Sequence, residues 1–239
     1  METPTTQLSR PRELPIIGGH LALDFANTVD DPLGPERHDH AATYDDLVAW
    51  STRVETISDT QAGRLRRLAR RETGYAARTV ERAHDLRDTL NDLFGRIAED
   101  GPGATRTAKD WTRLRPFVTE AMAAATLADH DHDHDHDRGR GRSGPRPASP
   151  LLRWAWPASD DLAVILHPVA VAAADLLVGD ELHRVSRCAR CPWLFLDTSK
   201  NHSRRWCDMN DCGKAQKIER YVARRAARRT AGGAKVRPG

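Results

Sequence analysis

The sequence predicts a mainly α protein: an N-terminal helical domain with a small β-hairpin, followed by a compact cysteine-bound module at the C-terminal end. Two observations carry this. Apolar residues recur at i, i+3, i+4 and i+7 through much of the first half. All four cysteines then fall in one window, Cys188 and Cys191 spaced C-x2-C and Cys207 and Cys212 spaced C-x4-C, with fifteen residues between the pairs. At 239 residues, 39% apolar and 30% charged, the chain can bury two modest cores.

In chain order, residues 1–13 read as a floppy extension and residues 14–180 as the helical domain. Leu21, Leu23, Phe25 and Ala26 open an apolar segment, and Thr43 is placed to cap a helix carrying Tyr44, Leu47, Val48 and Trp50, with Asp45 and Asp46 in its first turn. Ser58 to Gln61 start a third helix with Leu65 and Leu68 inward. The longest stripe, over residues 75–98, uses Val80, Ala83, Leu86, Leu90, Leu93, Phe94 and Ile97. Residues 111–128 form one more helical stretch, with a kink expected at Pro116.

Residues 129–150 interrupt the pattern: Asp and His alternate from Asp129 to Asp137, and Gly, Arg, Ser and Pro follow. Such a composition cannot build a core and reads as a solvated insertion able to hold a divalent metal weakly. Beyond it, residues 151–156 and 162–166 look like two strands joined through residues 157–161, and residues 169–178 form an alanine-rich helix leading to the cysteines.

Four thiolates at about 2.3 Å complete a tetrahedral zinc shell without an open position, so one structural Zn2+ is expected on Cys188, Cys191, Cys207 and Cys212. Arg190-Cys191-Pro192 gives a tight knuckle. Residues 193–197 read as a strand, 198–203 as a polar turn, and 204–206 as the return to Cys207. From about Asp211 a helix begins, with Ile218, Tyr221 and Val222 on one face and Cys212 near its positive end. Knuckle, hairpin and basic helix make a treble-clef-like zinc finger over residues 183–225, and residues 226–239 read as a basic disordered tail.

Charge is divided between these parts. Residues 182–239 hold 15 Lys and Arg against 4 Asp and Glu, a formal +11, while the remainder is 22 against 30, or −8. Four thiolates with one Zn2+ lower the C-terminal segment to about +9. A surface of that sign suits a polyanion. The candidate nucleic-acid contacts are Arg204, Arg205, Lys214, Lys217, Arg220, Arg224, Arg225 and Arg228, with Arg229 beyond them.

The residues around the cysteines resemble a known family. Cys188-Ala-Arg-Cys191, the segment Trp193 to Asn201, Ser203-Arg-Arg-Trp-Cys207 and Met209 to Gly213 are similar to the CGNR zinc finger of bacterial proteins regarded as stress-induced transcription regulators. The chain departs from the name-giving motif, because Lys214-Ala215 follows Cys212-Gly213 where the family usually has Asn-Arg. Gly18-Gly-His-Leu-Ala-Leu-Asp-Phe-Ala-Asn-Thr28 resembles the opening of the helical ABATE domain that precedes this finger. The resemblance implies a regulator whose N-terminal domain senses a small-molecule ligand or mediates homo-oligomerisation.

No catalytic constellation emerges. His20, His84, His167 and His183 stand alone in packing, capping or surface contexts, and no phosphate loop or nucleophile elbow is present. His202 on a treble clef could serve a nuclease only with a second, open metal site. No apolar run approaches the roughly 18 residues of a membrane span, and the first residues lack a secretory pattern, so a cytoplasmic protein is expected. The reading is a zinc-dependent DNA-binding regulator and not an enzyme, with a zinc-stabilised RNA- or protein-binding module as the alternative. RNA binding would use stacking on Trp193, Phe195 or Trp206.

Overall fold

A computed structural model of the chain describes residues 14–30, 37–101, 103, 108–129, 152–157 and 160–233, the backbone alone at 108–110 and 228–233. The extension expected at 1–13 and nearly all of the 129–150 insertion lie outside the described residues. Helix α1 spans Leu21–Ala26, α2 Tyr44–Arg53, α3 Asp59–Arg71, α4 Thr73–Asp100 and α5 Ala108–Ala123. Strands β1 (Val29–Asp30) and β2 (His38–Asp39) pair between α1 and α2.

The caps form where the side chains allow. Thr43 and Asp46 close a capping box on α2, and Ser58 and Gln61 close one on α3, each satisfying two amide groups that the helix leaves open. Helix α4 is the central strut. Ala83, Leu86, Leu90, Leu93, Phe94 and Ile97 are buried along it, as its period predicts, and Val80 packs at the margin. One buried position breaks the apolar rule: Arg87, 4% exposed, donates to both carboxylate oxygens of Asp39 at 2.7 and 3.0 Å. A charge in a core is tolerated when a bidentate partner meets it.

Two expectations for the second half are corrected. Helix α5 ends at Ala123, and Thr126–Asp129 forms strand β3, which pairs antiparallel with β4 (Leu152–Ala155) from Thr126↔Ala155 to Asp129↔Leu152. The ladder closes on Asp129↔Leu152. Residues Leu162–Leu166, expected to be the hairpin's second strand, are a 3-10 turn in which Leu162, Ala163, Ile165 and Leu166 are buried. A short continuous apolar run does not separate buried strand from buried helix, and Asp161 decides the matter by accepting from the Ala163 amide at 2.8 Å. Helix α6 (His167–Val178) follows, with proline in its first turn where no amide bond is lost.

The C-terminal part packs on this body. Strand β5 (Val185–Arg187) pairs with β6 (Leu194–Leu196), Val185↔Leu196 to Arg187↔Leu194. The finger's hairpin thus uses the strand before the knuckle, where residues 204–206 were expected. Trp193, Leu194, Phe195 and Leu196 are buried in succession, so both faces of β6 are covered, and the strand packs against α1 and α4. A π-turn, Met209–Gly213, leads directly into α7, Lys214–Gly233. The helix continues past residue 225, through much of the segment expected as a tail.

Candidate metal centre and basic helix

The first ligand pair sits on the knuckle between β5 and β6, where the Cys188 amide donates to the Trp193 carbonyl at 2.9 Å. Cys207 follows the loop from β6, and the π-turn carries Cys212. In that turn the Gly213 amide reaches the Asp208 carbonyl at 3.0 Å. The widened turn presents Cys212 inward, and a Cβ on Gly213 would lie 3.1 Å from the Met209 sulfur.

The four sulfurs all lie within 4.8 Å of one another, with Cys191 to Cys207 at 3.5 Å and Cys207 to Cys212 at 3.6 Å. A tetrahedron with arms of about 2.3 Å has edges of about 3.8 Å, so the cluster fits zinc. Cys188, Cys207 and Cys212 are buried and Cys191 is half-buried. Protonation chemistry agrees. Hydrogen bonds from Cys191 and Cys207 hold the Cys188 thiol well below its usual range, while the contact with Cys188 pushes Cys191 up to about 12 and raises Cys207 too. Burial raises Cys212. Sulfurs this close do not ionise together unaided, and a divalent cation removes the conflict. The finger holds one structural zinc on these four cysteines.

The basic residues divide into two groups. Arg204 faces inward: its guanidinium lies 4.2 Å from the Phe195 ring centroid and donates to the carbonyls of Ile17, Leu196, Trp206 and Cys207. It ties the cysteine loop to the N-terminal segment, and those bonds occupy it. Arg205 is exposed beside Trp206. Lys214, Lys217, Arg220, Arg224 and Arg225 are exposed along α7, and Arg228 lies further along the same helix with its side chain outside the described residues. Lys217, Arg220, Arg224 and Arg228 recur at helical spacing and form one stripe. Arg190 of the knuckle pairs with Glu219 and fixes the root of α7.

The aromatics that stacking on RNA would need are packed in the module. Phe195 is fully buried, Trp193 is 8% exposed and donates its indole N–H to the Val29 carbonyl, and Trp206 is half-buried. His202 sits in a left-handed turn at φ 48° with its ring stacked on His183 at 5.3 Å. Among the described residues it joins no cluster of metal-ligating side chains.

Sequence reasoning missed the seam beneath the finger. The Asn27 side chain donates to the Leu194 carbonyl at 2.8 Å and accepts from the Leu194 amide at 2.8 Å. The Gly18 carbonyl takes the Leu196 amide at 2.8 Å, and the Asp24 carboxylate accepts from the Gly18 amide at 2.7 Å. Burial nevertheless raises the Asp24 pKa, although the backbone bonds oppose it. The Gly18 to Thr28 motif therefore builds the dock for β6. Gly95 of α4 completes it, because a Cβ there would lie 1.7 Å from the Arg187 guanidinium.

Fold and site together define a zinc-finger protein whose metal module is seated on a helical body. A family model described as "Putative stress-induced transcription regulator" (ABATE) matches residues 19–180, and the CGNR zinc finger model matches residues 184–225. The chain belongs to the ABATE family and carries a CGNR finger. No curated protein matches it. The two families are a regulator and a zinc finger, not enzyme families. Among the described residues, no helix is long and apolar enough to cross a membrane.

Proposed function

We propose that this chain is a transcription regulator that binds duplex DNA through its zinc-held C-terminal module. The observation that carries the reading is α7: a long exposed helix, anchored at its root by the metal, with Lys217, Arg220 and Arg224 on one stripe and Lys214 and Arg225 beside it. A helix that is already formed presents its cations to phosphates without the cost of ordering its backbone, and counterion release drives the association. Arg205, exposed on the loop before Cys207, is the cation placed to fix register, whereas Arg204 supports the module from inside.

Burial of Trp193 and Phe195 disfavours RNA recognition by stacking. A protein partner is favoured by one feature. Ile218, Tyr221 and Val222 are 54%, 60% and 58% exposed on the face of α7 next to the basic stripe. Competition binding separates the readings. The zinc-loaded chain is titrated with a random duplex pool and a single-stranded RNA pool at matched salt, and duplex preference is expected. Equal or stronger RNA binding, or no nucleic-acid affinity, moves the function to the alternative.

A further inference from the structure

Away from the finger, Glu120 of α5, Asp161 before the 3-10 turn and His167 at the start of α6 bring one ligand atom each within 4.8 Å of the others. His167 is 4% exposed and neither ring nitrogen has a hydrogen-bond partner, while Nε2 faces a Glu120 oxygen at 3.6 Å. An imidazole stripped of water on both nitrogens is costly, and packing alone does not account for it.

Its neighbours are held in place. Arg82 donates to both Glu120 oxygens at 3.2 and 2.6 Å, and Asp161 accepts from the Tyr75 hydroxyl and the Ala163 amide. Burial lowers the His167 pKa, although Glu120 and Asp161 oppose it, so the ring is neutral with a lone pair to offer. The site reaches solvent at its rim, where the Glu120 side chain is 39% exposed.

We propose that Glu120, Asp161 and His167 form a binding site for a divalent first-row cation in the helical domain, separate from the zinc finger. Two carboxylates and a neutral imidazole are the donor set such ions take, and Arg82 and Tyr75 act as positioning residues that aim the carboxylates. Donors around an ion with bonds of about 2.1 Å stand about 3 to 4.2 Å apart, so the widest pair needs to close by at most about 2 Å. Binding would join α5, the 3-10 turn and α6 through one ion. The site itself is independent of the DNA-binding reading, and only its use as the regulator's effector site rests on that reading.

The test uses the zinc-loaded full chain titrated with Mn2+, a hard ion that does not compete for four thiolates, with free Mn2+ followed by electron paramagnetic resonance. Wild type is expected to bind one Mn2+ that His167→Ala and Glu120→Gln each weaken by about tenfold or more, with the finger's zinc retained. The Asp-His run is the same in all three proteins and cancels in the comparison. Should His167→Ala fail to fold, Glu120→Gln, at a half-exposed position, decides. Equal Mn2+ binding in wild type and variant, or none in wild type, overturns the site. Mn2+ binding that leaves duplex affinity unchanged overturns only the effector role.

Discussion

Asn27 joins residues 167 positions apart, through a side chain that is 2% exposed. Replacing it by Ala leaves the Leu194 amide and carbonyl buried without partners, which costs about 2 to 4 kcal/mol. Denaturant unfolding of Asn27→Ala should show that loss with zinc content unchanged; a loss under about 0.5 kcal/mol would mean that water replaces the contact. Arg87 makes a second claim at this scale. Despite burial, which opposes it, hydrogen bonds from Arg87 hold the Asp39 carboxyl below its usual range. A carboxyl lowered on folding contributes stability above its unfolded pKa, near about 4, and the contribution disappears as pH falls through the folded value. The wild type should therefore lose stability in acid below about pH 4 more steeply than Arg87→Leu, which itself should cost about 3 kcal/mol at neutral pH. Parallel pH profiles would contradict this. The zinc ligands were legible from sequence because their spacing is local. Asn27, Arg87 and the inward turn of Arg204 were not, since each depends on a partner brought near only by folding.

Helices α2, α3 and α4 could be read from caps and period, because an amphipathic stripe needs no knowledge of its partner. The strands could not. Thr126–Asp129 continues an alanine-rich helical sequence, and its pairing with β4 is set across a long excursion. The exchange of strand partners in the finger has a similar cause: β5 is too short to announce itself, and only burial of β6 on both sides selects it. One prediction belongs to β3 and β4. Because their register closes on Asp129↔Leu152, replacing residues 130–151 with a short Gly-containing turn should leave the melting temperature within about 2 °C, as closure entropy varies slowly with loop length. A drop of 10 °C or more would show that the segment packs against the body.

At the scale of the molecule, the finger is not an appended bead. Leu194 and Phe195 are fully buried in the same core as Phe25, Leu86 and Phe94. Folding of a small metal module draws on its zinc, so that energy reaches the helical domain through the shared core. Cys207→Ser, or chelation, should lower the stability of the whole described body in one transition, in place of melting residues 183–225 alone. Acid should release the metal in the same way, because coordination requires thiolates. A helical domain that unfolds at an unchanged temperature after zinc loss would refute the coupling. The basic helix supplies the functional half: α7 packs against the π-turn at its root, and Lys214, Lys217, Arg220, Arg224 and Arg225 remain exposed.

The central claim is that the zinc-held helix α7 contacts DNA phosphates. It is tested most directly by the salt dependence of duplex binding for the zinc-loaded wild type and the Arg220→Gln, Arg224→Gln, Arg228→Gln triple variant. Binding is measured by fluorescence anisotropy between about 50 and 200 mM salt. The account predicts weaker binding to all sequences and a log–log slope flatter by about one unit for each phosphate contact removed. An unchanged slope in the variant, or a wild type with no measurable duplex affinity, would contradict it.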